Sequence, residues 1–226
     1  MERKIITTGD GSVTIHLPQW DEQYHSKHGA VQEAQHVFIE MGLNYFVENS
    51  NAADVKILEI GFGTGLNAFI TFLQLNRIQK KIIYTGVEAF PVEPAEIEKL
   101  NYAEVLSAEE KAAVLLEIHK APWEEEIEVS EKFILKKQKK KFEDFEEKQA
   151  FDLIYFDAFG ARVQPELWTE DIFRKMYEAL MAGGVLVTYA AKGSVRRAMQ
   201  AVGFIVERLP GPPGKREMLR AVKKHI

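Results

Sequence analysis

The residues best suited to chemistry lie in one short stretch, residues 55–65, which read VKILEIGFGTG. An apolar run ends near Glu59, and Gly61, Gly63 and Gly65 follow at alternate positions. This pattern predicts a buried strand, a tight turn and a helix that starts at Leu66. Because glycine has no Cβ, such a turn lets backbone N–H groups approach a ligand closely at the helix N-terminus. The stretch therefore predicts a site for a nucleoside cofactor.

Three kinds of cofactor loop compete for this motif. A phosphate-binding P-loop needs a terminal Gly-Lys-Ser/Thr, whereas Gly65 is followed by Leu66-Asn67. A dinucleotide loop has the spacing G-x-G-x-x-G, which differs from the spacing found here. The S-adenosylmethionine loop of class I methyltransferases resembles E-x-G-x-G-x-G, which matches Glu59 and the three glycines. An acidic residue beside the loop repels a pyrophosphate but tolerates a sulfonium, so the third interpretation is favoured.

Two further acidic residues end predicted strands. Glu88 follows the strand at 82–87, where a carboxylate can accept two hydrogen bonds from the vicinal diol of a ribose. Asp157 follows the apolar run 151–156, at the carboxyl end of a strand, where parallel α/β sheets bind ligands. The plain alternatives are a solvated acid for Glu88 and a helix-capping acid for Asp157.

The elements that must position these residues alternate between strand and helix. Strands are predicted at 55–60, 82–87, 128–135, 151–156 and 185–189, and helices at 66–76, 169–181 and 193–202. The alternation predicts an α/β, Rossmann-like fold with a mostly parallel twisted sheet and helices on both faces. The segment PGPPG at 210–214 joins strands at 204–209 and 217–222 in a C-terminal antiparallel hairpin.

The first fifty residues have a different character. They contain a short alternating strand at 13–17 and helical spacing at 32–46. We expect residues 1–50 to form an N-terminal extension or lid that packs on a core domain of residues 51–226.

Composition narrows the chemistry further. The 226 residues carry a net charge of −5 and include no cysteine, which excludes disulfides and thiolate chemistry. No group of histidines has the spacing of metal ligands, and we predict no metal site. No apolar run is long enough to cross a bilayer, so we expect a cytoplasmic protein without membrane contact. The basic run at 136–141 fits a solvated face better than an RNA contact, and both interpretations stay open.

Six segments, taken in order, carry a resemblance to a known family. They are EAQHVF (33–38), GFGTGLN (61–67), DAFG (157–160), PELWT (165–169), TYAAKG (188–193) and GKREML (214–219). Together, from about Tyr24 to about Arg220, the chain resembles the methyltransferase of the tRNA 5-methylaminomethyl-2-thiouridine family. Two departures concern the pocket: Ala158-Phe159-Gly160-Ala161 stands where the family often has Gly-Phe-x-Pro, and Lys192 is inserted before Gly193.

The resemblance implies an enzyme that uses S-adenosyl-L-methionine as its cofactor. The implied reaction is N-methylation of the 5-aminomethyl group of (2-thio)uridine at the tRNA wobble position. Family members are often fused to a flavin-dependent oxidoreductase domain, which does not fit in 226 residues. We therefore expect the stand-alone form, acting after a separate oxidoreductase that supplies the aminomethyl substrate. A methyltransferase for a small-molecule amine and a non-catalytic cofactor-binding protein are the alternatives.

The predicted site residues fall into three groups. Asp157 is the predicted catalytic residue, which orients the acceptor amine through a hydrogen bond; uptake of the amine's proton is the alternative role. The predicted cofactor-binding residues are Glu59, Gly61, Gly63, Gly65, Asn67, Glu88, Asp144 (for the adenine), Ser26 and Glu33. The predicted base-stacking residues are Phe159, Trp168 and Tyr189, for which packing in the core or in the pocket wall fits equally well. The predicted phosphate contacts are Lys192, Arg196, Arg197, Lys215 and Arg216.

Overall fold

A computed structural model describes residues 2–224; the last two positions of the predicted core domain lie outside the described residues. A small antiparallel sheet comes first, with the order β1 (Lys4–Thr7), β2 (Val13–Leu17) and β3 (Glu22–Gln23). The predicted strand at 13–17 is β2. The alternation of apolar and polar residues in β2 follows from burial, because Ile15 and Leu17 point into a small apolar cluster.

One continuous helical segment follows the small sheet. It consists of α1 (Ala30–Ala34), a π-helical stretch (Gln35–Asn44) and α2 (Tyr45–Asn49). The segment contains the helix predicted at 32–46. Gly42 explains how closely it packs on the large sheet, because a Cβ there would lie 2.9 Å from Cγ2 of Val187.

An eight-stranded sheet forms the centre of the molecule. Its strands are β4 (Asp54–Ile60), β5 (Lys81–Glu88), β6 (Glu126–Ser130), β7 (Phe133–Lys139), β8 (Phe151–Phe156), β9 (Leu180–Thr188), β10 (Ile205–Pro210) and β11 (Glu217–Val222). The spatial order is β10-β11-β9-β8-β4-β5-β7-β6. The five strands from β9 to β7 pair in parallel, while β6, β10 and β11 pair antiparallel. The predicted α/β fold and its C-terminal hairpin are therefore confirmed.

Helices cover both faces of the large sheet. They are α3 (Leu66–Leu73), α4 (Leu75–Ile78), α5 (Pro94–Ile97), α6 (Tyr102–Val105), α7 (Ala112–Lys120), α8 (Glu170–Ala179) and α9 (Gly193–Ala201). Short 3-10 turns span Glu109–Lys111, Phe142–Asp144 and Pro165–Trp168. One apolar cluster joins the helical segment 30–49, α3 and α7 to one face, and a second joins α8 and α9 to the other. Strands buried on both faces explain the near-continuous apolar runs in the sequence.

The single strand predicted at 128–135 is wrong. The structure has two strands there, β6 and β7, which pair antiparallel around a turn at residues 131–132. The turn is Glu-Lys, without the glycine or asparagine that identifies a hairpin in sequence. As a result β7 extends into the basic run and buries Lys137, which is 1% exposed. For that residue the interpretation as a solvated face is also wrong.

The order in which strands join the sheet reverses at β4, and this reversal locates the site. After β4 the chain builds β5 and β7 on one side, and then returns to build β8 and β9 on the other. Open α/β sheets bind ligands at such a reversal, beyond the carboxyl ends of the strands. Among residues 2–224, no helix has both the length and the apolar character needed to cross a membrane.

Candidate active site

A cavity of about 1310 Å³ opens at this reversal. It exceeds the roughly 300–1,000 Å³ typical of small-ligand pockets, so it has room for a cofactor and part of a second molecule. Its walls come from three parts of the chain: the N-terminal segment, the loops after β4, β5, β7, β8 and β9, and the loop between β10 and β11.

The glycine turn after β4 forms the floor of the cavity. Gly61, Gly63 and Gly65 all have positive φ angles, of 92°, 47° and 68°. A Cβ on Gly61 would lie 2.6 Å from the backbone oxygen of Asp157, so only glycine fits between the two loops. Gly65 stands directly before α3, so the turn delivers the helix N-terminus to the cavity.

Glu59 lies beneath this floor and does not line the cavity. Its side chain is fully buried, and it accepts hydrogen bonds of 2.8 Å from Nδ2 of Asn67 and from the hydroxyl of Tyr84. Burial raises the pKa of this carboxyl well above its usual value. The predicted direct contact between Glu59 and the cofactor is therefore replaced by a contact with Asn67, a residue that does line the cavity.

Asn67 links the floor to the predicted catalytic residue. Its Nδ2 also donates a 2.8 Å hydrogen bond to Oδ2 of Asp157, which lines the cavity just after β8. Two donor hydrogens on one amide thus hold two carboxylates in place. The amide oxygen Oδ1 of Asn67 is buried and has no partner within the protein. It is an acceptor free to meet a donor group of a ligand.

Asp157 has an unusual titration. Burial, together with the charge of Glu33, raises the pKa of Asp157 to about 7, while the Asn67 hydrogen bond and the charge of Lys215 act in the opposite direction. Its carboxyl is therefore balanced between its neutral and charged forms near neutral pH. Such a group can both accept a hydrogen bond and take up a proton.

Glu88 occupies the adjoining strand end and lines the same cavity. Its Oε2 accepts a 3.1 Å hydrogen bond from the Gly63 N–H, and its Oε1 accepts one of 2.9 Å from the Phe90 N–H. Burial raises the pKa of Glu88, which these backbone hydrogen bonds oppose. Each oxygen keeps a second lone pair, so the carboxylate can still accept from a diol.

The mouth of the cavity is closed by distant parts of the chain. Lys215, in the loop between β10 and β11, forms an ion pair with Glu33 of α1, and its Nζ lies 3.8 Å from the centre of the Tyr189 ring. Ser26 is buried beside this pair, and its N–H donates to Glu33 over 3.3 Å. All four residues line the cavity. The phosphate contact predicted for Lys215 is therefore replaced by a contact inside the mouth.

The structure separates several other predicted site residues from the cavity. Trp168 is 5% exposed and packs in the core, where its Nε1 donates to the backbone oxygen of Phe159 over 2.8 Å. Base stacking by Trp168 is thus wrong. Phe159 and Tyr189 line the cavity, and base stacking by these two residues stays a prediction. Asp144 is exposed and lies outside the lining, and its neighbour Glu143 lines the cavity in its place.

Four predicted phosphate contacts also lie outside the cavity lining. They are Lys192, Arg196, Arg197 and Arg216. Lys192, Arg197 and Arg216 are exposed, as a contact with a large partner requires, whereas Arg196 is partly buried. The buried Nε of Arg196 has no protein partner.

The sequence did not identify three residues that shape the cavity. Tyr24 and His25 precede α1, and Phe90, which is 66% exposed, follows Glu88. A hydrogen bond of 2.9 Å joins Nδ1 of His25 to the Thr14 hydroxyl. Burial lowers the pKa of His25 to about 4, so its ring is neutral at physiological pH. Tyr24 and His25 stand in a polar loop whose fold depends on β1 to β3, so no local pattern identified them. The position of Phe90, two residues after a strand-end acid, was an available signal.

Comparisons with known proteins agree with this geometry. A family model described as S-adenosyl-L-methionine-dependent methyltransferase matches residues 96–224, more than half of the chain. A tRNA 5-methylaminomethyl-2-thiouridine biosynthesis bifunctional protein from Delftia acidovorans is 29% identical over 92% of this chain. The protein of the same name from Cupriavidus metallidurans is 28% identical over 94%. The chain spans about a third of the length of these relatives, 33% in both cases.

Solved structures support the fold. The crystal structure of MnmC2 from Aquifex aeolicus superimposes with a TM-score of 0.77 and 24% identity, covering 100% of this chain and 71% of that one. Spermidine synthase from Thermotoga maritima gives a TM-score of 0.59 at 14% identity, covering 99% of this chain and 69% of that one. The family match agrees with the glycine turn and with the position of the cavity at the sheet reversal. The chain belongs to the S-adenosyl-L-methionine-dependent methyltransferase family, and S-adenosyl-L-methionine is its cofactor.

Proposed function

We propose that this methyltransferase transfers a methyl group to the primary amine of 5-aminomethyl-(2-thio)uridine at the wobble position of tRNA. The observation that carries the proposal is the Asp157 carboxylate, which Asn67 holds at the wall of the cavity that begins with the glycine turn. The names of the relatives, which refer to biosynthesis of 5-methylaminomethyl-2-thiouridine in tRNA, support this acceptor. A tRNA substrate also fits the expected cytoplasmic location.

Residues around the floor fit the cofactor. Glu88 would accept hydrogen bonds from the ribose hydroxyls, and Glu143 would accept from the adenine amino group in place of Asp144. The unpartnered Oδ1 of Asn67 would accept from the ammonium group of the cofactor. The positive φ angles of the turn leave its backbone close to the ligand, because no Cβ stands between them. When bound, S-adenosylmethionine supplies a methyl group on a sulfonium, and the electron pair of the broken C–S bond stays on sulfur.

The protein's own part in the reaction is orientation and proton handling. The acceptor nitrogen needs a free lone pair to form the new N–C bond, so the amine must be neutral when it reacts. Asp157 would accept a hydrogen bond from one N–H of this amine and so align the lone pair. The product is a secondary ammonium that must lose one proton. A carboxyl with a pKa of about 7 is suited to accept that proton.

The RNA would contact the protein around the mouth. Phe159 and Tyr189 would stack on or beside the target base after it leaves the anticodon loop. The exposed Lys192, Arg197 and Arg216 would contact phosphates without regard to sequence.

Methyl labelling tests the proposal directly. The protein is incubated with S-adenosylmethionine labelled in the methyl group and with tRNA from a strain that lacks this modification. We expect label in tRNA, released on nuclease digestion as 5-methylaminomethyl-(2-thio)uridine. Label found only in added polyamines would establish the small-amine alternative. Cofactor binding with no label in any acceptor would establish the non-catalytic one.

A further inference from the structure

Two carboxylates and one ammonium meet at the mouth of the cavity. Glu33 and Asp157 lie close enough for the charge of Glu33 to raise the pKa of Asp157, and the charge of Lys215 lowers it. Lys215 also pairs directly with Glu33 and lies against the Tyr189 ring. The side chain of Lys215 is 29% exposed and that of Glu33 is 9% exposed, so solvent screens these charges only in part.

This arrangement bears on a difficulty in the proposed reaction. The acceptor must be a neutral amine, yet a negative charge nearby favours the ammonium form. Glu33 and Asp157 alone would hold the acceptor in its unreactive state. A fixed positive charge in the same wall has the opposite effect, because two cations near one another repel.

We propose that Lys215 is a positioning residue that keeps the acceptor amine neutral, with Glu33 holding the Lys215 ammonium in the wall of the cavity that Asp157 also lines. The inference rests on the proposed amine acceptor. It assigns Lys215 an electrostatic role inside the cavity, in place of a contact with the RNA backbone. The ion pair with Glu33 supports this, because a lysine already paired inside the mouth has fewer donors for a phosphate.

The other charged and titratable groups around Lys215 act differently. His25 is neutral because of its lowered pKa, to which the charge of Lys215 contributes. His28 packs against Gly214, the residue before Lys215. Burial raises the pKa of the Tyr189 hydroxyl, which donates to the backbone oxygen of Ala158, so this ring carries no charge. The charge of Glu22 raises the pKa of Tyr189, and the charge of Asp157 raises the pKa of Glu59, but neither glutamate hydrogen-bonds or pairs with Lys215 in the structure.

An NMR titration of the acceptor tests the assignment. An anticodon stem-loop carrying 5-aminomethyluridine with a ¹³C label in the aminomethyl carbon is bound to the protein together with S-adenosylhomocysteine, which cannot donate a methyl group. The ¹³C shift against pH then gives the pKa of the bound amine. We expect Lys215→Met to raise this pKa by about one to two units, from the Coulomb energy of neighbouring charges at an intermediate dielectric.

Further variants separate charge from shape. Lys215→Arg should keep the wild-type value, and Glu33→Gln, which frees the cation, should lower it. The double variant Glu33→Gln/Lys215→Met removes both charges and should return the pKa toward that of the wild type. Lys148→Met is the matched control, since it breaks a surface ion pair with Glu178 of 2.9 Å far from the acceptor and should change nothing.

The outcomes are distinct from those of the labelling experiment. Suppose that the wild type methylates tRNA, but that the pKa of the bound amine is the same in the wild type, in Lys215→Met and in Glu33→Gln. The role of Lys215 is then overturned, and the proposed function stands. A double variant that keeps the full shift of Lys215→Met would also overturn it. Absence of methyl transfer to any RNA by the wild type overturns the proposed function itself.

Discussion

The floor and the mouth of the cavity are built in different ways. The floor consists of the turn after β4 and the buried side chains beneath it, where Glu59, Tyr84 and Asn67 are joined by short hydrogen bonds. At the mouth, α1 and the start of the π-helical stretch meet the end of β10 and the loop that follows it. They are joined by the Glu33–Lys215 ion pair and by a hydrogen bond from His36 to the Pro210 backbone oxygen. The floor is fixed by packing, whereas the mouth depends on a few polar contacts at a half-buried surface.

This difference assigns separate tasks to the two regions. A rigid floor suits a cofactor that every turnover presents in the same form, because pre-organised groups lose little entropy on binding. A mouth closed by a few polar contacts can open for a large substrate at low cost. Asp157 belongs to both, since it hydrogen-bonds to Asn67 and responds to the charges of Glu33 and Lys215.

The largest effect is expected at Asp157. Asp157→Asn keeps the size of the side chain and an oxygen that can accept from Asn67, but removes the charge and the proton acceptor. We expect a loss of about 10²–10⁴-fold in single-turnover methyl transfer, with cofactor affinity nearly unchanged, measured by quench and by calorimetry. Asp152→Asn, at the opposite end of β8, is the control and should retain full activity. A loss of cofactor binding in Asp157→Asn would assign Asp157 to the floor alone.

The next effect tests the rigidity of the floor. Gly61→Ala places a methyl group 2.6 Å from the Asp157 backbone oxygen at a φ of +92°. We expect unfolding free energy to fall by about 2–4 kcal/mol and cofactor binding to be lost. Gly11→Ala, at a φ of +85° with no atom within 4 Å of the added methyl, should cost only about 1 kcal/mol. Equal losses in the two variants would mean that backbone strain, and not the close approach, constrains the turn.

A third effect follows from the titration of Asp157. Its pKa is 3.8 when unperturbed and about 7 in the folded protein, so the folded state binds more protons between these values and loses stability as pH rises through them. Asp157→Asn does not titrate. Its stability relative to the wild type should therefore rise between pH 4 and 7 and level off above, by about 1–3 kcal/mol once solvent screening in the cavity is included. Denaturant unfolding at pH 4.5, 6 and 8 measures this, and a constant difference would contradict it.

The smallest effect is expected at the mouth. His36→Ala removes the 2.8 Å hydrogen bond between Nε2 and the Pro210 backbone oxygen. We expect a stability loss of at most about 1 kcal/mol, because the group is partly solvated, and unchanged cofactor affinity. A loss as large as that of Gly61→Ala would show that the mouth is as rigid as the floor.

The floor could be predicted from sequence because its signals are local. The strand, three glycines and the helix start lie within residues 55–66, and the strand-end positions of Glu88 and Asp157 follow from the same strand-and-helix alternation. The mouth could not be derived from local patterns, since its contacts join α1 to a loop near the other end of the chain. From the sequence, Lys215 is therefore predicted to be an exposed cation. In the folded chain it pairs with Glu33 and lies against the Tyr189 ring.

Burial explains the remaining errors. Trp168 is an amphipathic residue that suits a stacking platform or a core, and only packing against Phe156 and Phe173 decides between them. Lys137 reads as a surface residue within a basic run, but its Nζ donates to the His119 backbone oxygen over 2.6 Å and lies 4.8 Å from the centre of the Trp123 ring. Neighbouring elements supply these partners, so residue type alone did not reveal them.

The Glu33–Lys215 pair joins residues 182 positions apart, whereas Asn67 and Glu59 are 8 apart. Closing a longer loop costs more chain entropy, about 0.6 kcal/mol for each doubling of its length. The floor can thus assemble early during folding, and the mouth must wait until β11 has joined the sheet. In the native protein the order reverses: amide hydrogens around residues 24–36 and 210–216 should exchange with solvent long before those of β4. The cavity can therefore open to a large substrate without disturbing the surface that holds the cofactor.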